Sequence, residues 1–173
     1  MIAECRYLNL DLKKRMSETK TLIFSFAIIA DTHIMPTGVS DTAPYAVLNK
    51  ANQRIKRVIE DLKFYDPKFV IHLGDMVRPF PALPNYDEVC RLALSIFEDI
   101  PFPVHYLPGN HDIGDKHIAS APAPQVSDAF LSKYKKHFGA TFGAFSHQGI
   151  QFVTLNASVL NSGLSEELDQ WVW

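Results

Sequence analysis

Three apolar segments of the chain each end in a short cluster of polar or small residues, and this recurrence limits the possible folds more than any other feature. The segments are TLIFSFAIIA from residue 21, KFVIHLG from residue 68 and FPVHYLPG from residue 102. Apolar runs of this length are typical of strands buried in a parallel sheet. Two stretches with helical spacing of apolar residues, at about 46–64 and 85–99, separate them. The alternation predicts an α/β fold with a parallel sheet.

The second half of the chain predicts a further helix and a hairpin. Residues 127–138 carry aromatic side chains at positions 130, 134 and 138, which is the spacing of one buried helix face. Residues 141–158 are expected to form two strands joined by a turn around a Gln-Gly pair. A last helix is expected to begin near Ser165, which two glutamates follow.

Composition places the chain among ordinary globular proteins. Its 173 residues fit one domain, and a net charge of −2 offers no polybasic surface, so neither nucleic acid nor membrane is expected as a partner. The apolar run at 22–30 is about half the ~20 residues that a membrane-spanning helix needs. The only two cysteines, Cys5 and Cys90, have no metal-binding or redox spacing; free thiols and a cytoplasmic location are expected.

The two ends of the chain match this pattern least. Residues 1–20 are expected to be a poorly ordered N-terminal extension, followed by one domain over residues 21–173. The last predicted helix has only about two turns before Trp173, which favours an incomplete domain. Such a domain would leave a sheet edge and apolar surface uncovered, so low stability or self-association is expected.

The polar clusters at the strand ends are the candidate functional residues. They are Asp31-Thr32-His33, Gly74-Asp75 and Gly109-Asn110-His111-Asp112. Ligands of open α/β sheets bind at the carboxyl ends of the strands, where these clusters are expected to meet. Asp31 and His33 would point the same way from an extended backbone and could hold one divalent transition metal. Asp75 could bridge that ion to a second one, to which Asn110 offers an amide oxygen.

His111 and Asp112 are the candidate catalytic residues. His111 would stay available for proton transfer, and Asp112 could orient its ring and raise its basicity. Glycines at positions 74 and 109 would let the backbone approach the site closely. Two bridged metals would activate a water molecule and hold a phosphoryl group, as in two-metal phosphoester hydrolysis.

The blocks IADTH, HLGDMV and LPGNHD resemble the first three blocks of the calcineurin-like metallophosphoesterases, in the same order. The resemblance extends from about residue 23 to the end of the chain. It implies a mixed sheet with flanking helices, of which this chain would hold the N-terminal part; the full family has a two-sheet sandwich. It also implies a binuclear site. Its residues would be Asp31, His33 and Asp75 for one ion, Asp75 and Asn110 for the other, and His111 as proton donor to the leaving group.

Two differences from the family pattern bear on function. Met76-Val77-Arg78-Pro79 follows Asp75 where calcineurin-type protein phosphatases have Asp-Arg-Gly, so the chain is more similar to small cytosolic phosphoesterases of the cyclic-nucleotide phosphodiesterase-like kind. The Gly-His-x-His block that supplies further metal ligands in the family is missing.

The predicted function is metal-dependent hydrolysis of phosphomonoesters or phosphodiesters, impaired by the missing ligands. Its substrate would be a small phosphoester or a phosphoprotein. The ligand set suits two ions of manganese, iron or zinc about equally. The alternative is a catalytically inactive binding or scaffold module with the same fold.

The remaining histidines are predicted to be structural or solvated, since most histidines outside a recognised motif are. They are His72, His105, His117, His137 and His147. Cys90, on the second predicted helix with no base beside it, is expected to be inert.

Overall fold

The computed structural model describes residues 2–6, 22–36, 50–116 and 124–173. Its elements in chain order are β1 (Ile2–Arg6), β2 (Leu22–Ile29), α1 (Ala51–Tyr65), β3 (Val70–His72), α2 (Tyr86–Phe97), β4 (Val104–Tyr106), α3 (Asn110–Ile113), α4 (Asp128–Phe138), β5 (Gly143–His147), β6 (Ile150–Thr154) and α5 (Ser165–Val172). From β2 onward, the predicted order of strands and helices is confirmed. The four-residue α3 is an addition at the third polar cluster.

Strands β1 to β4 form one sheet in the order β1-β2-β3-β4. β2, β3 and β4 run parallel, with Ala27 opposite Val70 and Val70 opposite Val104. The predicted α/β fold with a parallel sheet is therefore confirmed. Because the three strands are parallel and in register, their carboxyl ends lie at one edge of the sheet.

Strand β1 lies within the segment that was expected to be a poorly ordered extension. It pairs antiparallel with β2, with Ile2 opposite Ala27. Strand pairing is formed by main-chain groups and does not require an apolar pattern in the sequence. For this reason the sequence of residues 2–6 did not predict a strand. The rest of the predicted extension lies outside the described residues, and the domain boundary at residue 21 stays a prediction.

Helices α1 and α2 bury their apolar faces in the main core with the sheet. Ile55 and Ile59 of α1 and Val89 and Ala93 of α2 are almost completely buried there. Burying one side chain of this kind stabilises a fold by about 1.5–3 kcal/mol. Helix α1 ends before Pro67 as predicted, with Asp66 left-handed at φ 49°. The start expected near residue 46 lies outside the described residues.

The hairpin of β5 and β6 packs on a second, aromatic core. Phe24, Phe69, Ile71 and Leu107 of the sheet region are buried there against Phe145, Ile150 and Phe152. The rings of Phe145 and Phe152 stack with centroids 4.9 Å apart, and Phe69 meets Phe152 edge-on at 5.0 Å. The predicted hairpin is confirmed, with its turn at Gln148 and Gly149, both at positive φ.

The prediction that the apolar run of β2 is a buried strand is wrong in its first residues. Leu22 and Ile23 are exposed, whereas Phe24 and Ala27 are buried. Both exposed residues precede Ala27–Ile29, the part of β2 that pairs with β3, whereas Phe24 is buried in the aromatic core described above.

None of the described helices is both long enough and apolar enough to cross a membrane.

Candidate metal centre

The loops that follow β2 and β3 are joined by main-chain hydrogen bonds. The amide of Asp31 donates to the carbonyl of Gly74 at 3.0 Å, and the amide of His33 donates to the carbonyl of Asp75 at 2.9 Å. The parallel pairing of the strands therefore continues past their ends. It brings the first two polar clusters side by side, as the strand order predicted.

Among the described residues, His33, Asp75 and His111 form a group that could hold a metal ion, since one ligand atom of each lies within 4.8 Å of the others. Nε2 of His33 is 3.7 Å from Oδ2 of Asp75. It lies 3.6 Å from Oδ1 of the more exposed Asp31. These separations are too long for hydrogen bonds. Two donors at about 2.0–2.2 Å from one ion can be up to about 4.2 Å apart, so the distances from His33 to Asp75 and to Asp31 fit a shared transition metal.

The three ligand candidates on the first two loops have left-handed backbones. Asp31, His33 and Asp75 have φ values of 56°, 42° and 54°. Aspartate and histidine tolerate this region better than most side chains, but the conformation still stores strain. The expectation that Asp31 and His33 extend from one face of a strand is wrong, because the backbone turns at both residues. The two side chains nevertheless converge.

Two glycines allow the second and third clusters to touch. A Cβ on Gly74, whose φ is 101°, would lie 2.1 Å from the amide nitrogen of Gly109. A Cβ on Gly109 would lie 2.2 Å from Oδ1 of Asp75. No side chain fits at either position, which confirms the prediction that these glycines permit close approach.

Asn110 and His111 begin α3 directly over Asp75. The amide of His111 donates to Oδ1 of Asp75 at 2.9 Å. The Asn110 side chain faces the same carboxylate. With its nitrogen turned toward Asp75 it would donate to Oδ2 and Oδ1 at 3.2 and 3.3 Å. With its oxygen turned that way, three oxygen atoms converge, which suits a cation.

The His111 ring is held by the loop after β3. Its Nδ1 lies 2.9 Å from the main-chain carbonyl of Arg78, so Nδ1 carries the proton and Nε2 is the nitrogen left for other work. Phe80 stacks on the ring with centroids 4.2 Å apart. Sequence reasoning missed both contacts, since the Pro-rich segment around Phe80 indicated only a loop.

Asp112 does not orient His111, in contrast to the expectation. It is fully buried, and its two oxygens accept hydrogen bonds from the amides of Met76 at 3.0 Å and Gly109 at 2.9 Å. Burial raises the pKa of this carboxyl to about 7, against the lowering effect of these amides. The physical reason for the difference is geometric: at the start of α3 the Asp112 side chain turns back to cap the helix. Asp112 therefore connects the second and third clusters.

Burial is also the main influence on His33. It lowers the pKa of the imidazole, as does nearby His111, against the opposing effect of Asp75 and Asp31. Nδ1 of His33 is buried and has no hydrogen-bond partner within the described part of the chain. A lowered pKa favours the neutral ring, which is the form that binds metals.

The other histidines lie in structural surroundings. His72 is completely buried, His105 stacks on Phe145, His147 meets Phe24 edge-on, and His137 bonds Asp87. His117 lies outside the described residues. Cys90 is buried, and burial raises the pKa of its thiol to about 12, in keeping with an inert residue.

Comparison with known proteins places this arrangement in a family. No curated protein matches the chain significantly. A family model described as calcineurin-like phosphoesterase matches residues 24–171, which includes all three polar clusters and nearly every described element. The family is metal-dependent, in agreement with the group of His33, Asp75 and His111. The chain belongs to the calcineurin-like phosphoesterase family.

Proposed function

We propose that the chain hydrolyses phosphoesters at a binuclear metal centre at the carboxyl edge of its parallel sheet. Family membership supports metal-dependent phosphoester hydrolysis in general. The observation that carries the proposal for this chain is the convergence of three side chains, with donor atoms within 4.8 Å of one another. They are the ligand candidates His33 and Asp75 and the proposed proton donor His111.

Asp75 would bridge the two ions. One of its oxygens, Oδ1, accepts the amide of His111, and the other, Oδ2, lies nearest to His33. His33 and Asp31 would complete the protein ligands of one ion, and the Asn110 oxygen would serve the other. Bound divalent metals lower the pKa of water and polarise a phosphoryl group.

His111 would donate a proton to the leaving group. Its Nδ1–H is committed to the Arg78 carbonyl, so Nε2 is the atom that gives up the proton. The same contact and the Phe80 ring fix the orientation of the imidazole. A catalytic acid must be held in this way, because misplacement by about 1 Å can cost a factor of about 100 in rate.

The substrate would be a small phosphoester or a phosphoprotein, in the cytoplasm. Manganese, iron and zinc all suit a set of carboxylate, imidazole and amide ligands. Parallel assays with para-nitrophenyl phosphate and its bis ester, each with added Mn²⁺, Fe²⁺ or Zn²⁺, would rank monoesters against diesters and identify the metal.

The decisive experiment measures the metal content of the purified chain by elemental analysis together with hydrolysis of bis-para-nitrophenyl phosphate. We expect up to two metals per chain, held less tightly than a full ligand set would hold them because the sequence has no Gly-His-x-His block, and a low turnover that Asp75→Asn abolishes. Asp66→Asn is the matched control, since Asp66 also has a positive φ but is exposed at the end of α1.

Equal activity in the two variants would contradict the proposal. Absence of both metal and turnover in the wild-type chain would favour the alternative function, a binding or scaffold module that has kept the fold.

A further inference from the structure

His72 is a buried polar residue that the proposed reaction does not use. It is completely buried at the end of β3, with its ring 5.3 Å from Phe97 and 6.5 Å from Tyr106. A buried imidazole is stable only if its nitrogen atoms have partners. The positions of these partners show what the residue does.

The hydrogen bonds of His72 define its tautomer. The amide of Gly74 donates to Nδ1 at 3.1 Å, so Nδ1 carries no proton and a neutral ring must carry it on Nε2. Nε2 lies 3.1 Å from the hydroxyl oxygen of Thr32, which therefore accepts. The Thr32 hydroxyl then donates its own proton to the carbonyl of Met76 at 3.0 Å. Each donor in this series of hydrogen bonds has one acceptor.

This chain of hydrogen bonds connects the residues next to the metal ligands. Thr32 lies between Asp31 and His33, while Gly74 and Met76 lie on either side of Asp75. One buried ring thus holds the neighbours of three ligand candidates, all three of which have a strained backbone.

The same series of hydrogen bonds continues to the third polar cluster, at residues 109–112. The amide of Met76 donates to Asp112, whose other oxygen accepts the amide of Gly109. Loss of the Thr32 hydroxyl is therefore expected to affect the position of Gly109, the residue before Asn110, as well.

We infer that His72 and Thr32 are positioning residues, which set the relative placement of the two ligand-bearing loops through the chain Gly74–His72–Thr32–Met76. The inference rests on the proposed function, because it gives these residues a role in metal affinity. Outer residues that orient metal ligands typically change affinity by about 10- to 100-fold when they are removed.

The test uses Mn²⁺ as the probe and measures its dissociation constant by electron paramagnetic resonance. Thr32→Val keeps the shape of the side chain but removes the hydroxyl, and we expect its dissociation constant to rise by about 10-fold or more. Thr32→Ser restores the hydroxyl and is expected to stay within about 3-fold of the wild type. Circular dichroism would confirm that both variants fold.

Thr141→Val is the matched control. Thr141 is also buried, and its hydroxyl donates to Glu166, in a contact between the segment after α4 and α5 that shares no residue with the ligand loops. We expect this variant to lose stability but to keep the wild-type affinity for Mn²⁺.

The tautomer supplies a readout that requires no metal. Long-range ¹H–¹⁵N spectra are expected to show His72 with a protonated Nε2 and an unprotonated Nδ1. The opposite tautomer would overturn the inference, as would a Thr32→Val chain that binds Mn²⁺ like the wild type. A wild-type chain that binds no Mn²⁺ would overturn the proposed function, and this inference with it.

Discussion

Gly109 lies against Asp75 so closely that a Cβ on the glycine would be 2.2 Å from Oδ1 of the carboxylate and 2.6 Å from the Asp75 amide nitrogen. The contact joins the loop after β4 to the loop after β3. It allows the His111 amide to reach the same oxygen. The position of the Asp75 carboxylate therefore depends on residue 109 being a glycine, which has no side chain.

Gly109→Ala is expected to damage both the site and the fold. The new methyl group must displace Asp75 or the backbone of its own loop, and overpacking of this kind costs about 1–3 kcal/mol. We expect at least a 10-fold weaker affinity for Mn²⁺, measured by titration, and a lower midpoint in urea. Gly143→Ala is the control, because a Cβ there would meet nothing within 4 Å. Similar behaviour of the two variants would contradict this account of the contact.

Replacing His111 by alanine is expected to reduce turnover in proportion to the need for a proton on the leaving group. General acid catalysis contributes about 10²- to 10⁴-fold. The loss should therefore be large with phenyl phosphate, whose leaving group is basic, and smaller with para-nitrophenyl phosphate. Steady-state kinetics at saturating Mn²⁺ would measure it. An equal loss with both substrates would show that His111 does not donate the proton to the leaving group.

The stability of the fold should depend on the titration of His72. Burial lowers the pKa of this imidazole to about 3, whereas in the unfolded chain it titrates near the ordinary value of about 6.5. As the pH falls, the unfolded chain takes up the proton first. The contribution of neutral His72 is therefore complete above pH 6.5 and is lost as the pH falls toward 3.

Comparison with His72→Asn isolates this effect, because asparagine does not titrate. The free energy of unfolding of the wild type should fall relative to that of the variant by up to about 1.4 kcal/mol per pH unit below 6.5, measured by urea denaturation. Asp112 titrates in an overlapping range with the opposite sign, since its pKa is raised to about 7. Both proteins contain it, so its effect cancels in the difference. A difference that does not vary with pH would refute the prediction.

Phe69 should be among the most sensitive positions of the aromatic core. It is buried and meets Phe26, Phe145 and Phe152 at centroid distances of 5.0 to 5.2 Å. Phe69→Ala is expected to cost about 3–5 kcal/mol in the free energy of unfolding. Phe64→Ala, on the exposed face of α1, should change it by less than about 0.5 kcal/mol. Comparable losses would mean that the hairpin does not pack as described.

The order of elements could be predicted because apolar periodicity reports burial, and burial in a parallel sheet gives continuous apolar runs. The same logic placed Asp31, Asp75 and Asn110 near one another, since each follows a strand of one sheet. The direction of each side chain could not be predicted in this way. At a residue with a left-handed backbone such as His33, or at the start of α3, the side chains of adjacent residues point in different directions and contact different parts of the fold.

Asp112 and His72 illustrate the point. Asp112 follows His111 directly, yet it caps its own helix and bonds the amide of Met76. His72, interpreted from the sequence as merely buried, bonds two loops at once. In both cases one partner, Met76 or Thr32, is distant in sequence, and only the three-dimensional arrangement identifies it.

The left-handed backbone at Asp31, His33 and Asp75 has a consequence for the affinity with which the site would bind an ion. Each such residue raises the free energy of the folded chain by about 1 kcal/mol or more. Folding itself supplies this energy, through the main-chain pairing of the two loops and the burial beneath them. A ligand that arrives later finds the donors already placed and need not organise them, so that more of its binding energy is retained as affinity. The strained backbone thus lowers the stability of the folded chain and holds the ligand atoms in place before an ion binds.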